Sequence, residues 1–152
     1  MGSEEHAQGR AYRVQIADFG YSAYSLQDDD LVELPHSPGW EHPDGHPHGC
    51  PRHVAKKRDV YSLGVMSLWL FFQKHDEYPT VEQLVTAMKN QSLPSLAERL
   101  LQASSYHPSQ TGVLHQIFQD TLVHGHDERA TVMEVLSHLS SHSVFHENPP
   151  PS

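Results

Sequence analysis

Two groups of side chains in this sequence are of types that can do chemistry. The first is Asp18-Phe19-Gly20. It follows Tyr12–Ala17 (YRVQIA), whose alternation predicts a short strand. A carboxylate at a strand exit, then an aromatic ring, then a residue free to take positive φ, can present an acid to a cation. An Asp in that place also serves as a plain turn or N-cap residue. The second group lies in and around Gly45–His53 (GHPHGCPRH), where His42, His46, His48, Cys50 and His53 are zinc-ligating types. Structural zinc sites set their ligands in pairs at short regular spacings. Here the cysteine is alone and prolines separate the histidines, so a Pro/Gly/His loop insertion stands beside a zinc site of His46, His48 and Cys50. His124 and His126 fall at a predicted helix end, where imidazoles meet the last carbonyls.

These groups need elements to hold them, and the pattern predicts mainly helices. Arg58–Gln73 (RDVYSLGVMSLWLFFQ) is apolar on nearly every side, with only Ser62 and Ser67 as small polar breaks. A helix apolar all round is buried, so this stretch is expected at the centre, with Asp59 as its N-cap. It is shorter than the roughly 20 apolar residues that span a bilayer. Thr80-x-x-Gln83 is a capping box opening a helix to about Asn90, with Val81, Leu84, Val85 and Met88 inward. Pro94 marks a break, and Leu96–Leu101 is a short helical candidate. Ser104–Gln110 reads as loop. Thr111 opens an amphipathic helix to about Gly125, and Thr131-x-x-Glu134 caps another to about Ser141, with Val132, Val135, Leu136 and Leu139 inward. No periodicity survives in Tyr21–Trp40, and Asp28-Asp29-Asp30 reads as a solvated acidic run. Gly45–His53 carries too much Pro and Gly for a helix or a central strand.

Composition narrows the function classes. A formal charge of −9 argues against a general nucleic-acid binder, which neutralises phosphates with Lys and Arg, and against docking on an acidic membrane. The single Cys50 leaves no internal disulfide and suits an intracellular protein, cytoplasmic or nuclear. Met1–Arg10 is polar, so no signal peptide is expected. The expected division is a disordered N-terminus over 1–11, one unit over 12–142 and a Pro-rich tail over 143–152.

In order, the motifs are strand, DFG, long loop, Pro38-Gly39-Trp40-Glu41-His42-Pro43-Asp44, a basic turn, Asp59-Val60-Tyr61-Ser62-Leu63-Gly64 on a buried helix, and further amphipathic helices. This order resembles the second half of the C-terminal lobe of a protein kinase. The resemblance covers roughly 12–142 and rests on the succession of motifs. Asp18-Phe19-Gly20 matches the metal-binding DFG, and residues 18–44 would be the activation segment, followed by a loop over 45–57. His42-Pro43-Asp44 stands where the family has Ala-Pro-Glu, with two departures. Asp127–Ala130 resembles the turn whose Arg pairs with that acid, so Arg129 would partner Asp44.

The resemblance implies an ATP-dependent protein phosphotransferase, leaning to the Ser/Thr type through Ser37-Pro38-Gly39-Trp40. It implies Mg-ATP as cofactor, with Asp18 on the metal and Phe19 and Gly20 beside it. It implies Asp44, Asp59 and Arg129 as structural residues. Phosphoryl transfer by this family also uses a Gly-rich loop, a strand Lys, a catalytic-loop Asp and an Asn for the second Mg²⁺. None of these stands in the residues before Asp18, MGSEEHAQGRAYRVQIA. The expectation is therefore a kinase fragment inactive alone, whose helix would lack cover at Val60, Val65 and Trp69. The alternatives are a catalytically dead, kinase-like module that binds a protein and a small His-rich metal-binding protein.

Overall fold

The structure is a computed structural model and describes residues 27, 30–34, 39, 40, 42 and 48–141. Among them it forms one two-stranded sheet and five helices. Strand β1 (Leu31–Val32) pairs antiparallel with β2 (Cys50–Pro51), with Leu31 opposite Pro51 and Val32 opposite Cys50. This pairing was not predicted, because two residues are too few to show an alternation. It buries Val32 and Cys50 against Val54 and Ala55, a small core of its own.

Helix α1 (Arg52–Phe72) follows β2 directly, with Pro51 at its N-cap. It thus starts well before Asp59, and the expected basic turn is its first two turns. Ala, Lys and Arg are good helix formers, so Ala55-Lys56-Lys57-Arg58 continues the helix rather than ending a loop. Asp59 is consequently an exposed interior residue and not a cap. The expectation that Gly45–His53 holds no helix or central strand fails only at Arg52 and His53, which are helical, since Cys50–Pro51 is a strand of a two-stranded sheet and so lies at an edge.

Helix α1 is central but not enclosed. Tyr61, Gly64, Val65, Leu68 and Phe72 are buried at helical spacing. Leu63, Met66, Trp69, Leu70 and Phe71 are exposed on its other side. Of the residues expected to lack cover, Val60 and Val65 are buried and only Trp69 is open.

The remaining helices wrap the buried side. Helix α2 (Val81–Lys89) has the predicted capping box, with Gln83 N–H donating to Thr80 Oγ1 at 3.3 Å and Thr80 N–H donating to Gln83 Oε1 at 2.9 Å. Leu84 and Met88 point inward, whereas Val81, in the first turn, is exposed. Helix α3 (Leu93–Ala103) is longer than predicted, because Pro94 sits in its first turn, where a missing N–H costs nothing. Helix α4 (Pro108–Thr121) likewise begins early, capped by His107 with Gln110 reaching back. Helix α5 (Val132–Ser141) starts after Thr131 as predicted. Only Val135 of its four expected inward residues is fully buried, and Val132 and Leu136 are exposed.

Leu68, Phe72, Leu100, Leu114 and Phe118 lie in one core shared by α1 to α4. The tightest approach is at Gly64. A Cβ there would collide with the Thr121 hydroxyl and stand 2.8 Å from Leu122 Cδ2. Tyr12–Ala17, the predicted strand, lies outside the described residues, as do 1–11 and 142–152.

Candidate functional site

The most buried charge among the described residues is Arg129, 1% exposed. It sits in the turn joining α4 to α5, which is closed by Arg129 N–H donating to the Gly125 carbonyl at 3.1 Å and Ala130 N–H to the Asp120 carbonyl at 3.2 Å. Three of its guanidinium contacts are to backbone carbonyls. Nε donates to the Val123 carbonyl at 2.8 Å, Nη2 to the His124 carbonyl at 2.7 Å and Nη1 to the Lys57 carbonyl at 2.7 Å. The first two carbonyls follow the C-terminal end of α4, where a cation is favoured. The third ties the turn to α1, and Lys57 Nζ donates back to the Arg129 carbonyl. The guanidinium lies 4.8 Å from the Tyr61 ring centroid, a cation–π geometry.

The segment containing Trp40 and His42 lands on the same place. His42 is buried, and its Nε2 is 2.9 Å from the His124 carbonyl that Arg129 also uses. A carbonyl only accepts, so this Nε2 carries the proton. The His42 ring stands edge-on to Tyr61 at 4.7 Å and tilted on His124 at 4.8 Å. Arg58 Nη2 donates to the His42 carbonyl at 3.4 Å. Trp40 meets Trp69 edge-to-face at 5.9 Å. Arg129, Tyr61, His42 and His124 thus form one clamp fastening this segment to α1 and to the α4–α5 turn. The His42 imidazole reaches a carbonyl just past the predicted helix end. His126 pairs with Asp127 at 3.3 Å.

Of the residues singled out in the sequence, Arg129 and the DVYSLG helix are brought together. Asp59 lies on the same helix. The residue as a whole is exposed, but partial burial pushes its carboxyl up from the ordinary range, against the attraction of Arg58. Asp18, Phe19, Gly20, Asp44 and His46 lie outside the described residues. His48 is exposed, while Cys50 is a free thiol buried among Val32, Val54 and Ala55. Among the described residues no three His, Cys, Asp or Glu side chains are placed to hold a metal ion. His42 is the site residue whose contacts sequence reasoning missed. It was weighed only as a zinc ligand and as a stand-in for Ala, and its one available signal was the second histidine, His124, near the far turn.

Asp120 and His138 also join two helices. The partly buried Asp120 carboxylate takes His138 Nδ1 at 2.8 Å and Gln116 Nε2 at 2.9 Å, holding α5 on α4.

Comparison of the chain with protein-family models, with curated proteins and with solved structures returned no match. Among the described residues no helix is long and apolar enough to cross a membrane.

Proposed function

We propose that residues 12–142 are the second half of a protein kinase C-terminal lobe, of Ser/Thr type, and that this chain alone does not transfer phosphate. The observation that supports the class is the Arg129 clamp. The resemblance calls for an Arg in this turn that pairs with the acid at the end of the activation segment, Asp44, which lies outside the described residues. Arg129 lies on Tyr61 of DVYSLG and shares a carbonyl with His42, two residues before Asp44. In this reading Asp44 adds its carboxylate to the guanidinium.

The second part rests on the donor set. Mg²⁺ takes oxygen ligands in octahedral geometry and keeps several waters, relying on phosphates and carboxylates. Asp18 alone is a weak holder of Mg-ATP, so it would serve only within a complete kinase. No residue of the sequence matches the catalytic-loop base or the strand Lys of the family. The test is transfer from Mg-ATP to generic protein substrates by the purified chain, with Asp18→Ala as control. No transfer above the control is expected. Transfer that disappears in Asp18→Ala contradicts the reading.

A second reading, a kinase-like module that binds a protein, is favoured by the exposed side of α1. Leu63, Met66, Leu70 and Phe71 are 38–57% exposed along one helix, and contiguous apolar surface of this kind marks interaction sites. The zinc reading, with His46, His48 and Cys50, requires stoichiometric zinc in chelator-washed protein.

A further inference from the structure

We propose that the open side of α1 is a self-association surface: two copies of this chain pair through α1, antiparallel, about a two-fold axis near Met66. The proposal rests on the second reading above, whose protein partner it names as another copy of this chain, and not on the kinase resemblance. Lys56, Asp59, Leu63, Met66 and Leu70 follow one another at intervals of three or four residues, and all are exposed. Residues so spaced share one face of a helix. Leu63, Met66 and Leu70 are 38%, 48% and 57% exposed, so the middle of this stripe is large and apolar. Lys74, Asp76 and Glu77 are exposed in the turn just past the C-terminal end of the helix.

The order of charges along the stripe selects the partner. A two-fold contact brings a patch against the same patch of the other copy. With the helices antiparallel and Met66 at the axis, Leu63 of one copy faces Leu70 of the other. Asp59 then faces Lys74, and Lys56 faces Asp76 and Glu77. Each of these charge pairs is opposite in sign and occurs twice. A parallel pairing sets Lys56 on Lys56 and Asp59 on Asp59, which repel. The whole chain carries −9, a charge that keeps copies apart, and a uniformly acidic face would call for a basic partner. This face alternates in sign and so complements itself. Glu77 also stands 4.0 Å from Arg99, in an exposed pair that is worth little. The end charges set the orientation, and burial of Leu63, Met66 and Leu70 drives the contact.

Sedimentation equilibrium of the full chain from about 1 μM to about 1 mM tests the pairing. The expected result is a rise with concentration from 17.2 kDa to twice that mass. Lys56→Glu should weaken the dimer by about tenfold or more, because like charges then meet at both ends. Asp76→Lys with Glu77→Lys should do the same. Mixing these two variants should restore pairing as a one-to-one complex, since every end contact is again opposite in sign. A chain that stays at the monomer mass overturns the proposal and leaves the open side of α1 to an unlike protein. A dimer indifferent to Lys56→Glu, or one that the mixture does not restore, overturns it too. Should a variant not fold, zero-length carbodiimide crosslinking of the unaltered chain decides. The two ends of α1 lie about 30 Å apart, so a link from Lys56 to Asp76 or Glu77 forms only between copies. That link is expected at concentrations where the dimer is populated, and its absence there overturns the pairing.

Discussion

Arg129 takes a full charge out of water, and three backbone carbonyls and the Tyr61 face stand in for the lost hydration. Such a group is costly to remove, because its acceptors stay buried without it. Arg129→Met is expected to lower unfolding free energy by about 3 kcal/mol or more, read from urea denaturation. Two carboxyls carry opposite pH signatures. Glu134 is held below the ordinary carboxylate range by the Thr131 backbone N–H and hydroxyl, with Lys57 and His138 adding attraction. Its contribution is present above the ordinary Glu value of about 4.3 and is lost as pH falls through the lower folded value. Hydrogen exchange at the start of α5 should speed up over that window. In Glu134→Gln, which keeps a capping box, the pH dependence should vanish. Asp59 has the reverse sign. Its carboxyl is pushed up by desolvation, so what it costs the fold at neutral pH is returned as pH falls through its folded value. Asp59→Asn should therefore be no less stable than the unaltered chain at pH 7.

At the scale of elements, the most exacting contact is between α1 and α4. Gly64 has no room for a Cβ against Thr121 and Leu122. Gly64→Ala improves helix propensity by about 1 kcal/mol but overpacks a tight contact, which costs about 1–3 kcal/mol. A net loss is expected, visible as a lowered Tm, because Thr121 and Leu122 are both fully buried and have little room to yield. Thr80→Ala should cost about 1 kcal/mol by removing one arm of the α2 capping box. That box, and the Thr131–Glu134 box, were legible in the sequence because their pattern is local. Periodicity likewise gave the inward residues Leu84 and Met88. The start of α1 was not legible. Pro51 and the basic residues after it carry both a loop and a helix reading, and only the pairing of β2 with β1 decides between them. The exposure of Leu70 and Phe71 was missed for a related reason. An all-apolar helix reads as enclosed, yet the other helices cover one side of it. Arg129 stood out in the sequence only through the proposed kinase resemblance, and its carbonyl partners depend on how that turn packs on α1.

The whole molecule combines a net charge of −9 with an apolar helix side left open. Polar substitution at Met66 and Leu70 together should leave the Tm nearly unchanged, since both are surface positions. If that side is a protein-binding surface, as the second reading holds, the same pair should abolish capture of its partner. The central claim is that the clamp is a kinase-type fastening in which Asp44 closes on Arg129. The most direct measurement is a double-mutant cycle with Asp44→Asn and Arg129→Lys, using unfolding free energies from urea denaturation. The proposed reading predicts a coupling of about 1–3 kcal/mol, as for contacting charged groups. Strictly additive effects, within about 0.5 kcal/mol, would contradict it.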